Sequence, residues 1–323
     1  MKKTGRNVLI ALGAVGACAA VAGAVSYAVT KKLFSIALER KMPGDRSNTT
    51  RMIKGPEWLE DMLAIQKKNA EKLLRSVYED VEITAFDGIK LVGHYKKTEG
   101  AERTVICFHG WRSTWAKDFG GISDFLESNG CNVLYVEQRG QNNSGGDHMG
   151  FGLLERYDCL SWVNRVVSFG DGLPIYLSGI SMGAATVMMA AGLELPDQVH
   201  GIVADCGYTS PDAIWKYVTE KNLHLPYTGF RRKVIEDLCR RKLNSESSRY
   251  SCADALAKAK VPVLFIHGSS DHLVPVRMSY ENYLACASPK RLLIVPGAEH
   301  GMSYLIETEK YQQAVLDFWR DFD

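Results

Sequence analysis

The sequence predicts an α/β protein with a mostly parallel, eight-stranded sheet, helices on both faces and a lid insertion, preceded by one N-terminal transmembrane helix. Three observations predict this architecture. An uncharged apolar run lies near the N-terminus, a hairpin signal follows residue 80, and six short apolar runs then alternate with stretches of helical period. Such alternation is typical of a parallel sheet that is covered on both faces.

The composition excludes several classes of protein. The 323 residues include 39 Lys and Arg against 37 Asp and Glu, a formal charge of +2, and 46% of them are hydrophobic. These values exclude collagen-like and disordered chains, and the near-zero charge argues against a nucleic-acid partner. The 8 cysteines contain no Cys-x-x-Cys pair, so we expect buried or free thiols rather than a disulfide framework.

Residues 1–30 are predicted to form a membrane anchor. The run Val8–Val29 carries no charge and is flanked by basic residues. As a helix it would span about 33 Å at 1.5 Å per residue, enough to cross a hydrocarbon core of roughly 30 Å. A cleaved signal peptide is an alternative, because Ser26-Tyr27-Ala28 begins and ends with a small residue. A buried helix of a soluble protein is the third interpretation.

The charges beside this run predict its orientation. Lys2, Lys3 and Arg6 precede it, whereas Lys31 and Lys32 follow it. Because Lys and Arg favour the cytoplasmic side, we expect a single-pass protein of the cell membrane whose C-terminal domain is extracytoplasmic. The seven cysteines of residues 31–323 argue against an oxidising compartment unless they are buried.

Residues 31–79 are predicted to be a linker followed by an amphipathic helix. Residues 31–56 are basic and polar with Pro and Gly, whereas the apolar positions between Trp58 and Tyr78 recur at helical spacing.

Residues 80–323 form the predicted catalytic domain. Its first two strands, Val81–Phe86 and Ile89–Tyr95, flank Asp87-Gly88, a strong hairpin signal.

The remaining elements alternate along the chain. Short apolar runs predict six strands: Thr104–Phe108, Asn132–Val136, Ile175–Leu177, Val199–Ala204, Val261–Ile266 and Arg291–Val295. Helical spacing predicts Ile122–Ser128, Leu153–Val167, Ser181–Leu193, Met278–Ala287 and Glu307–Phe322. The long interval before the seventh strand is rich in aromatic residues, and we interpret residues 208–256 as a lid.

A Gly-x-Ser-x-Gly motif at residues 179–183 carries the predicted chemistry. It lies between a predicted strand and a predicted helix, the setting in which a sharp turn exposes a nucleophilic serine, here Ser181. Asp271 and His300 each follow a later strand, in the order that such a site requires. Ser181 is therefore the predicted nucleophile, His300 its base and Asp271 the acid that orients His300. Asp205, at the end of the sixth strand, is a weaker alternative for the acid.

An oxyanion hole should accompany this triad. His109-Gly110-Trp111 follows the third strand, where such a loop belongs, and the backbone N–H groups of Trp111 and Met182 are the predicted donors. We interpret the His109 side chain as structural support for the loop.

Residues 80–323 resemble the α/β-hydrolase superfamily, in particular bacterial serine hydrolases related to serine aminopeptidases and acyl esterases. The residues that carry the resemblance are 109–111, 137–140, 144–146, the motif around Ser181, Asp271 and His300. The family commonly has Asp at position 137 and a small residue in the segment where this chain has residues 141–143. The resemblance implies a serine hydrolase that uses no cofactor.

Other polar clusters are interpreted as structural. His272 and Asp147-His148 are possible metal ligands, but the spacing of the eight histidines does not favour a metal site. The basic clusters at residues 231–233 and 240–242 are interpreted as a solvated helix face, with anionic lipid headgroups or acidic substrates as the alternative.

The function expected from these features is hydrolysis of an ester, thioester or amide bond through an acyl-enzyme. The aromatic lid and the pair Trp111 and Trp115 favour a small-molecule acyl substrate with apolar character, and hence a carboxylesterase over a peptidase. A serine aminopeptidase of the same fold and a membrane-tethered binding protein without turnover are the alternatives.

Overall fold

The computed structural model describes residues 2–40, 58–245 and 247–323, with the side chains of the first helix described from Ala20 onwards. Within these ranges one sheet has the strand order β1-β2-β4-β3-β5-β6-β7-β8. The strands are β1 (Glu79–Thr84), β2 (Lys90–Lys96), β3 (Arg103–Phe108), β4 (Cys131–Val136), β5 (Ile175–Ile180), β6 (Val199–Asp205), β7 (Val263–Gly268) and β8 (Lys290–Val295). The pairs β1–β2 and β2–β4 are antiparallel and the others are parallel, so the predicted sheet is confirmed.

The described helices include those predicted between the strands. They are α1 (Lys2–Leu38), α2 (Trp58–Leu74), α3 (Trp115–Phe119), α4 (Ser123–Ser128), α5 (Glu155–Val167), α6 (Met182–Ala190), α7 (Pro211–Tyr217), α8 (Gly229–Leu243), α9 (Cys252–Leu256), α10 (Arg277–Ala285), α11 (Ser303–Ile306) and α12 (Thr308–Phe322). A short π-helical turn, Val218–Asn222, follows α7.

Apolar side chains form a core on each face of the sheet. Along β3, Ile106 and Phe108 join one core, whereas Val105 and Cys107 join the other. This alternation is the period of two that an extended strand imposes. Helices α5 and α6 cover the first face, while α3 and α12 cover the second. The sheet is therefore buried on both sides, as its near-continuous apolar strands require.

The first helix extends beyond the predicted anchor. It continues through residues 31–38, which were expected to be linker, and Glu39 then pairs with His148. Thr30, Phe34 and Leu38 recur every four residues and are buried against the domain. The prediction of a linker from residue 31 was therefore wrong for residues 31–40, while residues 41–57 lie outside the described ranges.

One described helix is long and apolar enough to cross a membrane or to serve as a signal sequence, and it is the N-terminal one. The qualifying stretch is Ala20–Leu38. The first part of the predicted span, residues 8–19, lies outside the described side chains.

The predicted lid, residues 208–256, corresponds to α7, the π-helical turn, α8 and α9, inserted between β6 and β7. We call these residues the lid insertion.

Candidate active site

Ser181 lies at the sharp turn between β5 and α6. Its backbone has φ 57° and ψ −112°, a strained conformation for a residue with a side chain, which costs about 1–3 kcal/mol. The Ser181 N–H donates to the Asp205 carbonyl (2.9 Å), and the Ser181 carbonyl accepts from Ala185 N–H (3.0 Å). The turn is thus fixed to β6 on one side and to α6 on the other.

Two glycines allow the turn to form. A Cβ atom on Gly183 would lie 1.8 Å from the Phe108 carbonyl oxygen, and one on Gly179 would lie 2.3 Å from the backbone of Gly183. Both neighbours are backbone atoms, which cannot rotate away. The glycines of the motif therefore permit α6 to pack directly against β3 and β5, with Ser181 at their junction.

The three residues predicted as a triad lie in hydrogen-bonding distance of one another. The Nε2 atom of His300 lies 2.9 Å from the Ser181 Oγ atom, and its Nδ1 atom lies 2.6 Å from the Asp271 Oδ2 atom. Parallel strands bring them together, because β5, β7 and β8 all end at the same edge of the sheet. In this arrangement His300 can accept the Ser181 proton while it donates its own Nδ1 proton to Asp271.

Asp271 is buried and accepts several hydrogen bonds. Its Oδ1 atom accepts from the backbone N–H groups of Leu273 (2.9 Å) and Val274 (2.8 Å). Its Oδ2 atom faces His300 and, at 3.1 Å, the Nε2 atom of His267. Burial alone would raise the pKa of Asp271, but the two histidines lower it overall, so the carboxylate is ionised at neutral pH.

The carboxylate of Asp271 also controls His300. Burial lowers the pKa of His300, whereas the negative charge of Asp271 raises it, and the net effect is a pKa well above the ordinary value of 6.5. The imidazole is therefore a stronger base than a free histidine. It also remains protonated to a higher pH.

Asp205, the alternative acid, has different partners. It is buried at the end of β6, and its Oδ1 atom accepts from the Ser303 hydroxyl at 3.2 Å. Burial raises the pKa of Asp205 to about 6. Since the Nδ1 atom of His300 meets Asp271 at 2.6 Å, the geometry favours Asp271 as the orienting acid.

The loop after β3 brings the predicted oxyanion donors beside Ser181. A Cβ atom on Gly110 would lie 3.4 Å from the Ser181 Cβ atom, so the two backbones nearly touch. The Gly110 N–H is already used, because it donates to the Asp118 Oδ2 atom at 2.7 Å. The next N–H belongs to Trp111. Met182 is the first residue of α6, so its N–H has no acceptor within the helix.

Polar side chains that the sequence analysis left without a role hold this loop in place. Gln141 Oε1 accepts from Arg112 N–H (2.6 Å), and Asn142 Nδ2 donates to the Ser113 carbonyl (3.0 Å). His109, buried as expected of a structural residue, accepts at Nε2 from the Gln138 N–H (3.2 Å). The departure from the family pattern at residues 141–143 therefore supplies the supports of the loop that carries Trp111.

Aromatic side chains extend from this loop to the lid insertion and α1. We call Phe34, Trp111, Phe151, Tyr208 and Trp215 the aromatic wall. Phe151 packs against Trp111 (6.4 Å between ring centroids), Trp215 (5.2 Å) and Tyr208 (6.1 Å), and Phe34 contacts Trp215 at 6.5 Å. Within the described part of the chain, the buried Tyr208 hydroxyl and Trp215 Nε1 have no hydrogen-bond partner.

Trp115 does not belong to this wall. It was expected to accompany Trp111, but it is only 4% exposed and belongs to the core on the opposite face of the sheet. Its ring packs on His94 (4.5 Å) and Tyr135 (5.2 Å). The prediction was wrong because Trp115 is the first residue of α3, which turns its side chain into that core.

One group of potential metal ligands occurs among the described residues, and it overlaps the triad. The ligand atoms of Cys206, Asp271 and His300 lie within 4.8 Å of one another. Asp271 and His300 already share a 2.6 Å hydrogen bond, which an ion at this position would break. Burial raises the pKa of Cys206 to about 11, so an ion would also have to displace the thiol proton. His272, considered as a ligand from the sequence, instead contacts Glu299.

Known proteins are similar to this chain in sequence. A family model described as serine aminopeptidase, S33, matches residues 99–237. The uncharacterized protein YqkD of Bacillus subtilis is 28% identical over 80% of this chain and 86% of its own length. The uncharacterized protein YfhR of Escherichia coli O157:H7 is 30% identical over 69% of this chain and 73% of its own length.

Among solved structures, the chain is similar to the Pyrococcus furiosus esterase Pf2001. The TM-score is 0.64 and the sequence identity 25%, over 78% of this chain and 93% of the esterase.

Proposed function

Because this chain belongs to the α/β-hydrolase superfamily, we propose that it is a serine hydrolase that cleaves an ester bond through an acyl-enzyme on Ser181. The observation that carries this proposal is the position of His300, whose two ring nitrogens lie 2.9 Å from Ser181 Oγ and 2.6 Å from Asp271 Oδ2. A base held between a hydroxyl and a carboxylate is the arrangement that activates serine.

The proposed reaction has two steps. Ser181 Oγ attacks the ester carbonyl carbon while its proton passes to His300 Nε2, and the N–H groups of Trp111 and Met182 stabilise the resulting oxyanion. His300 then returns the proton to the leaving alcohol, which leaves an ester on Ser181. In the second step a water molecule gives one proton to His300 and attacks this ester. His300 then returns the proton to Ser181 Oγ as the acyl–Oγ bond breaks, which releases the acid and restores the Ser181 hydroxyl.

The aromatic wall supports an ester with an apolar acyl group. It begins at Trp111, the residue beside the oxyanion position, and continues through Phe151 to Trp215. Phe34, Phe151, Tyr208 and Trp215 are buried and pack on one another, whereas Trp111 is half-buried. An acyl chain would therefore contact the Trp111 ring, where each CH₂ that leaves water contributes about 0.8 kcal/mol.

A serine aminopeptidase is the second candidate, because the matching family model carries that description. An aminopeptidase must hold the ammonium group of its substrate, usually with a carboxylate. The carboxylates that follow β6, β7 and β8 already have partners: Asp205 accepts from Ser303, Asp271 from His300, and Glu299 pairs with His272. This favours an ester substrate.

A substrate panel separates the two candidates. We expect the full-length protein in detergent to hydrolyse p-nitrophenyl esters, with higher kcat/KM for longer acyl chains, and to act poorly on aminoacyl-p-nitroanilides. Ser181→Ala is the control and should abolish both signals. Faster turnover of the anilides would favour the aminopeptidase, and no turnover of either class would favour a binding protein without catalysis.

A further inference from the structure

The lid insertion is attached to the N-terminal helix. The buried side chain of Arg231, in the first turn of α8, donates from Nε to the Thr30 hydroxyl of α1 at 3.2 Å. Further along both helices, Phe34 and Leu38 of α1 are buried in the same core as Val234 and Leu238 of α8, whereas Val21 and Val25 before Thr30 are exposed. The two helices therefore run side by side in the same direction.

The catalytic edge of the sheet is attached to the same helix. Trp111 Nε1 donates to the Ala37 carbonyl of α1 at 2.7 Å. Trp111 directly follows Gly110, on which an added Cβ would lie 3.4 Å from the Ser181 Cβ atom. Ala37 lies seven residues beyond Thr30, or roughly 10 Å at 1.5 Å per residue. The proposed active site thus lies close to the point at which α1 meets the domain.

The part of α1 before Thr30 is apolar and exposed. Val21 and Val25 are 64% and 58% exposed, as expected of side chains that lipid rather than protein covers. A helix that enters a membrane along this stretch places Thr30, and with it the first turn of α8, at the lipid surface. The last turn of α8 lies about 15 Å further away, since ten residues separate the two turns.

The residues of the lid insertion near Thr30 and the first turn of α8 have the composition of a membrane-contact surface. We call residues 222–233 the lid tip. It contains the exposed apolar ring of Phe230 (49% exposed) and the exposed cations Arg232 and Lys233, and α1 adds the exposed Lys31 and Lys32 beside it. Arg232 also faces Asp212 at 3.5 Å, but the lid tip itself contains no acidic residue. An apolar ring among cations is typical of a segment that binds an anionic lipid surface.

The lid tip also reaches the catalytic loops. Asn222 Nδ2, at its beginning, donates to the carbonyl of His272 at 3.2 Å, and His272 directly follows Asp271. The lid tip therefore spans from the acid of the triad to the anchor helix.

We propose that the lid tip is a second membrane contact, in which Phe230 enters the lipid and Arg232 and Lys233 bind anionic headgroups beside the anchor. The proposed active site then lies beside the bilayer, and the substrates are acyl esters that reside in the membrane. The substrate class rests on the proposed function, whereas the membrane contact does not.

The contact can be measured on the full-length protein in vesicles. Seven of the eight cysteines, from Cys107 to Cys286, are free and buried. Cys18 lies outside the described side chains and is replaced by Ala in every labelled protein, so the dye reports from the added cysteine. We attach an environment-sensitive dye to Phe230→Cys, with Leu284→Cys on α10 (Leu284 is 77% exposed) as the control. A spin-labelled lipid should quench the dye at position 230 several-fold more than at position 284. Equal quenching at the two positions would overturn the proposal.

Two matched double variants test whether the positive charges of the lid tip bind the anionic lipid. Arg232→Gln/Lys233→Gln and Arg241→Gln/Lys242→Gln each remove two exposed cations from α8. In vesicles with equal parts phosphatidylcholine and phosphatidylglycerol, only the first pair should lose quenching at position 230, and its turnover of an ester dissolved in the bilayer should fall several-fold. Equal effects of the two pairs would contradict the proposal.

Turnover of water-soluble p-nitrophenyl butyrate separates the two proposals. It should be unchanged in both double variants, because neither alters the triad. If the unmodified protein fails to hydrolyse the soluble ester, the proposed function is wrong, while the quenching result still decides whether the lid tip touches the membrane.

Discussion

The two carboxylates near His300 differ in how they act on its imidazole. Asp271 accepts the Nδ1 proton at 2.6 Å, whereas Asp205 accepts from Ser303. Asp271→Asn should lower kcat by about 10⁴-fold, because an amide favours the wrong imidazole tautomer. Asp205→Asn should cost less than about tenfold. Steady-state kinetics on both variants decide the matter, and a larger loss in Asp205→Asn would reverse the assignment of the acid.

The pH dependence of turnover reports the state of His300. Only the neutral imidazole can accept the Ser181 proton, and Asp271 raises the pKa of His300 above 6.5 despite the opposing effect of burial. The rate should therefore fall as the pH decreases, with a midpoint above 6.5, higher than a free histidine would give. In Asp271→Asn the midpoint should move down. A kcat/KM profile with its midpoint below 6 in the unmodified protein would contradict this account.

From the sequence we predicted the residues of the proposed reaction, but His109 alone among the side chains that support them. Ser181, Asp271 and His300 are recognisable because each follows a strand and belongs to a spaced motif. Asp118, Gln141 and His267 belong to no motif, since their partners are backbone groups or side chains brought close by the fold. All three required the structure.

Among the elements, the junction of β5 and α6 is the most constrained. Gly183→Ala would place a Cβ atom 1.8 Å from the Phe108 carbonyl oxygen, so β3 and α6 would have to separate. We expect destabilisation by more than about 4 kcal/mol, or failure to fold. Chemical denaturation, monitored by circular dichroism, measures the difference.

Gly229→Ala is the matched control for this substitution. Gly229 begins α8, and nothing lies within 4 Å of its added Cβ. The free energy of unfolding should change by less than about 1 kcal/mol, since alanine favours a helix. Similar losses of stability in the two variants would show that the close approach at Gly183 does not limit the fold.

The sequence pattern predicts the strands but misplaces the end of α1. Six of the eight strands follow from short apolar runs, because a sheet covered on both faces needs apolar residues at successive positions, and β1 and β2 follow from the hairpin signal at Asp87-Gly88. The end of α1 was misplaced because Lys31 and Lys32 suggest the end of a membrane segment. The spacing of Thr30, Phe34 and Leu38 was the signal that the helix continues. The surface that these three side chains contact depends on how the lid insertion packs, and no local sequence pattern shows that packing.

For the whole molecule, the side of the membrane is a prediction. Lys2, Lys3 and Arg6 before the apolar run favour an extracytoplasmic catalytic domain. The seven described cysteines are buried, which removes the hazard that an oxidising compartment would pose. Protease added to intact cells should therefore degrade the domain. A domain that survives until the membrane is broken would instead face the cytoplasm.

The central claim is that His300 and Asp271 activate Ser181 as a nucleophile. A fluorophosphonate forms a covalent bond with a serine that is activated in this way, and peptide mass spectrometry of the labelled full-length protein locates the bond. We expect one modified peptide, labelled on Ser181, with labelling reduced by about 10³-fold or more in His300→Ala. Label on another residue, or equal labelling of Ser181 in His300→Ala, would contradict the claim.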